Sequence, residues 1–147
     1  MPDTPDVSAP ATILAFDFGL RRIGVAVGQS VTGSASPVGV VANRDTGIDF
    51  DSIGRMIDEW QPCRLVVGMP RRADGSASEM EAPVKAFIRA LGEFGLPVAT
   101  VDERYTSIEA ERVLKRARAG GTRGRLSKED IDSAAAVFIA ERYFASE

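Results

Sequence analysis

The chain has 147 residues and a formal net charge of −3, with 44% hydrophobic and 27% charged residues. This length fits one domain with a sizeable core, and the composition is typical of a globular protein. Histidine is absent, which excludes a Ser-His-Asp triad, a Cys-His pair and any histidine-ligated zinc site. An enzyme of this composition must handle protons with carboxylates, lysine, tyrosine or metal-bound water.

The N-terminal stretch predicts a tail and not a targeting segment. Residues 1–10 are rich in Pro, Asp and Ser, which predicts a disordered tail ahead of a single domain over residues 11–147. No apolar run approaches the roughly 18 residues of a membrane span, and no basic-then-apolar signal pattern is present. The single cysteine, Cys63, excludes an intramolecular disulfide, so we expect a cytoplasmic protein without membrane contact.

Three hydrophobic runs with short connections predict an antiparallel meander in the first third of the chain. The runs are Thr12–Gly19, Ile23–Val27 and Val38–Ala42. A tight connection over residues 19–22 joins the first two, and a Gly/Ser-rich turn at Thr32–Ser36 precedes the third.

Helices and strands then alternate along the chain. Apolar residues at helical spacing predict helices, and capping pairs that begin at Thr106 and Ser127 open the last two of these. The elements are a helix at Ile53–Trp60, a strand at Arg64–Gly68, a helix at Met80–Leu91, a strand at Pro97–Val101, and helices from Thr106 to about Arg118 and from Ser127 to about Phe144. This order predicts an α/β fold with three antiparallel and then two parallel strands, a five-stranded mixed sheet covered by helices.

Asp17 is the first candidate for chemistry. It lies inside a strand between Phe16 and Phe18, where a charge is costly unless it is paired or bound to a metal. Strand alternation places Asp17 on the face opposite both phenylalanines. The alternative is a structural role, a hydrogen bond to the turn at Gly19.

Two acidic pairs follow later in the chain. Asp102 and Glu103 end the fifth strand, and sheets with parallel strands usually bind their ligands at such strand ends. Because neighbouring residues alternate between faces, only one of the two can face a common site. Either could instead be an acidic residue at the start of the following helix. Asp130 fits a cap with Ser127. Asp132 precedes the Ala-rich run DSAAAVFIA, which would let the helix approach the sheet closely; the alternative is an ordinary structural Asp. Convergent carboxylates repel one another and are usually kept together by a hard divalent cation.

A basic region makes a polyanionic ligand compatible with the acidic chain. Residues 104–128 contain eight basic and two acidic residues, a net charge of +6, so the remainder of the chain carries −9. A local basic patch of this kind fits nucleic acid, and the alternative is a solvated helix face with a charged loop.

Four segments together resemble the YqgF-like family, whose members are called pre-16S rRNA nucleases or Holliday-junction-resolvase-like proteins. The segments are AFDFGLRRIGVAVGQ, VVGMP…DG, VDERYTSIEAE and IDSAAAVFI, in order from about Ile13 to Phe144. The resemblance implies a ribonuclease-H-like fold with a five-stranded mixed sheet and a role in maturing the 5′ end of pre-16S rRNA. It places metal-binding carboxylates at Asp17, Glu103 and Asp132.

The expected activity is hydrolysis of a nucleic-acid phosphodiester bond with Mg²⁺ or Mn²⁺. After Gly68-Met69-Pro70 the family often carries a hydrophobic residue and Asn, where this chain has two arginines. Pre-rRNA is the favoured partner through the resemblance, branched DNA is the alternative, and monomer and homodimer are both open. The side chains expected to hold phosphates are Arg21, Arg22, Arg71, Arg72, Arg104, Arg123 and Arg125.

Three other functions compete with this interpretation. A Holliday-junction-type DNA resolvase would use the same chemistry with two sites acting as a pair. A non-catalytic nucleic-acid-binding or ribosome-assembly factor would bind without cleaving. An actin-like ATPase or sugar kinase shares a strand–Asp–Gly turn like AFDFG, but such enzymes close two domains over a nucleotide and 147 residues are too few for both.

Overall fold

The computed structural model describes residues 11–44, 47–70, 79–102 and 128–145, with the side chains of the last range described from Ser133 onward. Four strands come first, and helices and strands then alternate. They are β1 (Thr12–Asp17), β2 (Arg22–Gln29), β3 (Ser34–Arg44), β4 (Gly47–Ile48), α1 (Phe50–Trp60), β5 (Arg64–Met69), α2 (Glu81–Leu91), a 3₁₀ turn (Gly92–Phe94), β6 (Val98–Asp102) and α3 (Lys128–Ala145). The expected tail at residues 1–10 and helix from Thr106 to about Arg118 lie outside the described residues.

The strands form one mixed sheet in the order β4-β3-β2-β1-β5-β6. Strands β1 to β4 pair antiparallel in sequence, whereas β5 pairs parallel with β1 and β6 pairs parallel with β5. The predicted meander and the two later parallel strands are therefore confirmed.

The predicted count of five strands is wrong, because the described residues contain a sixth. Strand β4 is only two residues long, Gly47–Ile48, and pairs with Asn43 and Arg44 at the end of β3. Two residues are too few to show an alternating pattern in the sequence.

Strand β3 also begins earlier than predicted, at Ser34 and not at Val38. Its first half pairs with β2 although Ser34 and Ser36 are exposed, so no hydrophobic run marks it. A bulge interrupts this pairing: Val25 lies opposite Gly39 but Ala26 lies opposite Pro37. Backbone pairing, and not side-chain burial, thus defines this half of the strand.

The two faces of the sheet have different cores. One, the α1–α2 face, buries alternate residues of the central strands, among them Leu14 and Phe16, against Ile53 of α1 and Phe87 of α2. The other, the α3 face, buries smaller residues against α3. Its members are Ile13, Ala15, Ala26, Val66, Ala136, Val137, Ile139 and Ala140.

Helices α1 and α2 begin where local chemistry favours a helix start. Asp49 caps α1: its carboxylate accepts hydrogen bonds from the Ser52 amide at 3.2 Å and the Ser52 hydroxyl at 2.6 Å. The Ser52 hydroxyl, then the Ser52 amide, and the nearby Arg55 and Arg44 guanidiniums hold the pKa of Asp49 below its ordinary value of 3.8. Pro83 is the third residue of α2, where its missing N–H costs nothing.

Helix α3 crosses its face of the sheet antiparallel to β1. Near its start, the Ser133 hydroxyl donates to the Gly39 carbonyl at 3.0 Å. Near its end, the Phe144 ring lies against Gly28 and Ile13, at the opposite end of the strands. The first turns of α3 therefore lie at the end of the sheet where β1 ends. None of the described helices is long and apolar enough to cross a membrane.

Candidate active site

Asp17 is the last residue of β1 and lies on the α3 face of the sheet. The Phe87 ring of α2 packs against Phe16 with centroids 5.7 Å apart and against Phe18 with centroids 5.3 Å apart. These contacts hold both neighbours of Asp17 on the α1–α2 face, so strand alternation directs the half-buried Asp17 to the other face. The predicted orientation of Asp17 is confirmed.

Glycines flank Asp17 on both neighbouring strands. Gly24 of β2 is its pairing partner, and on β5 Gly68 follows Val67, the partner of Phe16. Both glycines share the α3 face with Asp17, because Ala26 and Val66, two residues away on the same strands, pack on that face. At this level of the sheet, neither neighbouring strand therefore places a Cβ directly beside Asp17.

The turn that follows Asp17 is held tightly. A Cβ on Gly19 would lie 2.5 Å from the Arg22 carbonyl oxygen, a distance that only glycine permits. The Asn43 side-chain amide donates to the Gly19 carbonyl at 2.8 Å, and the Asn43 backbone amide donates to the Arg21 carbonyl at 3.0 Å. The end of β3 therefore holds the connection between β1 and β2 at two points.

The start of α3 approaches the same end of the sheet. Ser133 is 4% exposed and donates to Gly39, which pairs with Val25, itself the partner of Phe16. Asp132 precedes Ser133 in α3, so its backbone lies close to the point where α3 contacts β3. The side chains of Asp130 and Asp132 lie outside the described residues.

Of the acidic pair at the end of β6, the structure describes Asp102. Val101 packs with the α3 core and Val98 with the α1–α2 core, so alternation places Asp102 on the α1–α2 face, opposite to Asp17. Asp102 pairs with Met69 at the strand ends. Glu103 lies outside the described residues.

The expected phosphate-binding arginines are described at two positions. Arg21 is exposed in the turn after Asp17; Arg22 is half-buried at the start of β2, two residues before Gly24 and on its face. The expected Arg71, Arg72, Arg104, Arg123 and Arg125 lie outside the described residues. Among the side chains that the structure describes, no three acidic residues or cysteines lie close enough together to form a metal centre. Of the three expected ligands, only Asp17 has a described side chain.

Sequence reasoning missed the residues that shape the site without carrying charge. Gly24 and Gly68 matter through strand register, which no local pattern reveals. Asn43 bonds to a residue 24 positions earlier in the chain, and its only sequence signal is a polar side chain directly after the run Val38–Ala42.

Comparison with known proteins gives a family and close relatives. The family model described as "RuvX: Holliday junction resolvase" matches residues 11–146. A protein of Paraburkholderia xenovorans named "Putative pre-16S rRNA nuclease" is 46% identical over 134 residues, covering 90% of this chain and 87% of its own. A protein of the same name from Chromobacterium violaceum is 46% identical over 132 residues, covering 89% and 95%.

Solved structures show the same fold at low sequence identity. RuvC of T. thermophilus in complex with a Holliday junction substrate superposes with a TM-score of 0.57 at 17% identity, covering 92% of this chain and 94% of that one. The Fowlpox virus resolvase bound to Holliday junction DNA gives a TM-score of 0.59 at 11% identity, covering 92% and 97%. The fold is therefore that of the ribonuclease-H-like resolvases, as the resemblance implied.

Proposed function

This chain belongs to the RuvX family of Holliday junction resolvases, and from this premise we propose that it is a nuclease that matures the 5′ end of pre-16S rRNA. The observation that carries the proposal is the placement of Asp17: a half-buried carboxylate at a strand end, between two glycines, on the face where α3 begins. The proposed nuclease domain spans residues 11–147 and works in the cytoplasm, in ribosome biogenesis.

RNA is the favoured substrate because the relatives named for pre-16S rRNA are 46% identical to this chain over 134 and 132 aligned residues. The two resolvases bound to junction DNA are 17% and 11% identical, and their likeness concerns the fold alone. Resolution of branched DNA is the second candidate, favoured by the family description, and it requires two sites acting as a pair. A homodimer would support that candidate, whereas a monomer suffices for RNA maturation.

We propose that Asp17, Glu103 and Asp132 hold Mg²⁺ or Mn²⁺. The glycine-flanked space beside Asp17 and the oxygen-only donor set fit a hard divalent cation. Because Asp102 lies on the other face, Glu103 is the member of its pair left for this site. When bound, such an ion supplies a polarised water and offsets the charge on the leaving oxygen.

The chain's own residues bind and orient the substrate. Arg21 and Arg22 lie next to Asp17 in the turn and on the α3 face, where guanidinium groups can hold phosphates in register without reading sequence. We propose that five further arginines extend this basic surface: Arg71, Arg72, Arg104, Arg123 and Arg125. Histidine is absent from the chain, and we assign the acceptance of the proton of the attacking water to a carboxylate of this site.

The test is cleavage of two substrates under identical conditions. A 5′-extended pre-16S RNA and a four-way DNA junction are incubated with the protein in Mg²⁺, in Mn²⁺ and in chelator. We expect cleavage of the RNA in either metal, none in chelator, and none by Asp17→Asn in any condition. Binding of the RNA without cleavage in either metal would instead identify a non-catalytic assembly factor, and preferred cleavage of the junction would identify a resolvase.

A further inference from the structure

Leu20 is an exposed hydrophobic side chain next to the proposed site. It lies in the turn between β1 and β2, three residues after Asp17, and is 65% exposed. Among the described residues the other large hydrophobic side chain with such exposure is Val31, at 69%, in the turn between β2 and β3. That turn lies at the opposite end of the sheet, so a substitution of Val31 is a matched control for a substitution of Leu20.

The turn holds Leu20 in place from both sides. The Asn43 side chain bonds to the carbonyl of Gly19, the residue before Leu20, and the Asn43 amide bonds to the carbonyl of Arg21, the residue after it. Gly19 also packs against the Arg22 carbonyl too closely for any Cβ. An exposed apolar side chain therefore lies in the constrained turn that links Asp17 to Arg21 and Arg22.

We propose that Leu20 contacts an unstacked nucleobase of the RNA beside the phosphate that is cleaved at the proposed metal site of Asp17, and that Asn43 is the positioning residue for this contact. The inference rests on the proposed nuclease function. In duplex DNA, apolar side chains such as Leu insert between base steps and unstack them, and unpaired RNA offers bases that are free for a similar contact.

The dimensions of the turn agree with a contact to a nearby base. Three residues of chain span at most about 10 Å, and successive stacked nucleotides of one strand are about 3.4 Å apart. Leu20 therefore reaches a base within about three nucleotides of the phosphate at Asp17. Arg21, next in the chain and exposed, can hold a phosphate of the same strand.

The experiment uses an RNA hairpin with a single-stranded 5′ extension that carries 2-aminopurine at each unpaired position in turn. Binding is measured with Ca²⁺ in place of Mg²⁺, and fluorescence reports unstacking of the labelled base. The wild type should raise the fluorescence at one or two adjacent positions. Leu20→Ala should abolish that rise and weaken binding about five- to tenfold, while Leu20→Met and the matched control Val31→Ala should behave like the wild type.

Asn43 is tested by the same fluorescence and by non-additivity. Asn43→Ala removes the side-chain donor to the Gly19 carbonyl without adding a charge, and it should abolish the rise with little change in melting temperature. Leu20→Ala combined with Asn43→Ala should bind RNA no more weakly than Leu20→Ala alone, because both changes remove the same contact. A merely structural role for Asn43 would give additive losses.

Three results would overturn the inference. One is a Leu20→Ala variant that unstacks the base as the wild type does, and another is an equal loss in Val31→Ala. The third is a Leu20→Ala variant that dissociates a dimer and keeps its RNA binding, which would make Leu20 a contact between copies. If the wild type cleaves RNA in any of these cases, the proposed function stands and only the role of Leu20 fails; a wild type that neither binds nor cleaves RNA rejects both.

Discussion

The two faces of the sheet are built from different side chains for different purposes. On the α1–α2 face, large side chains fill the core, and the Phe87 ring contacts Phe16, Phe18 and Phe50. On the α3 face, alanines line the contact between helix and sheet, and Gly24 and Gly68 lie beside Asp17. The large side chains of the α1–α2 face hold the strands in place. The small side chains of the α3 face let α3 pack closely, so that the start of α3 and Asp17 lie at the same end of the sheet.

The orientation of Asp17 is set by side-chain contacts on the opposite face of the sheet. The aromatic contacts of Phe16 and Phe18 anchor both neighbours of Asp17 on the α1–α2 face, so Asp17 cannot turn inward without breaking them. The stability of one face thus determines the geometry of the other.

The largest expected effect concerns two carboxylates in the first turns of α3. Asp132→Asn should abolish RNA cleavage with little loss of stability, because it removes a proposed metal ligand. Asp130→Asn, two residues earlier and rotated by about 200° around the helix, should cost about 0.5–1 kcal/mol as a weakened cap and keep most activity. Turnover and melting temperature are measured for both variants; a dead Asp130→Asn beside an active Asp132→Asn would reverse the assignment.

On the α1–α2 face, Phe87→Ala should produce the largest loss of stability. Phe87 is 1% exposed and contacts three other aromatic rings, so its removal should lower the free energy of unfolding by about 3–5 kcal/mol. Denaturant unfolding measures this loss, with Phe87→Leu as the milder control. A cost below that of a surface substitution would show that this face does not fix the strands.

A smaller effect is expected at the far end of the α3 face. A Cβ on Gly28 would lie 2.8 Å from the Phe144 ring and 3.1 Å from Ile13, so Gly28→Ala should cost about 1–3 kcal/mol through overpacking. Cleavage below the melting temperature should persist, because Gly28 is remote from Asp17. Loss of cleavage at full folding would mean that the whole length of α3, and not its start, controls the site.

The smallest effect is the pH dependence of the α1 cap. The pKa of Asp49 is held below 3.8, chiefly by the Ser52 hydroxyl, so the charged cap stabilises the fold above pH 3.8 and this contribution is lost as pH falls through the lowered pKa. Asp49→Asn keeps a capping side chain but cannot ionise. The difference in melting temperature between wild type and Asp49→Asn should therefore shrink below pH 3.8; a constant difference would remove Asp49 from the acid response.

The sequence predicted what depends on local patterns and missed what depends on register. Strand β1 and the orientation of Asp17 followed from an apolar run and from alternation, and α2 from helical spacing with Pro83 at its start. The first half of β3 and the whole of β4 were missed because exposed or very short strands are defined by backbone pairing with distant residues. The Asp49 cap had a local signal, an Asp directly before the apolar helix face, that the prediction did not use.

The residues of the candidate site also differ in whether a local sequence pattern marks them. Asp17 was singled out because a charge inside an apolar strand is conspicuous. The residues alone left Asp102 and Glu103 both open, and Glu103 was chosen through the family resemblance. The packing of Val98 and Val101 adds that Asp102 lies on the face opposite to Asp17. Asn43, Gly24 and Gly68 act through neighbours on other strands, and no spacing within one segment marks them.

In the proposed function the α3 face holds the metal, and a titration with Mn²⁺ in the absence of nucleic acid measures this binding. The matched variants are Asp17→Asn on the α3 face and Asp102→Asn on the α1–α2 face, with heat of binding and rise in melting temperature as readouts. Asp17→Asn should melt at or above the wild-type temperature in chelator, because a repulsion is removed, and should gain little from Mn²⁺. Asp102→Asn should bind and be stabilised like the wild type. Full Mn²⁺ binding by Asp17→Asn, or its loss in Asp102→Asn, would contradict the account.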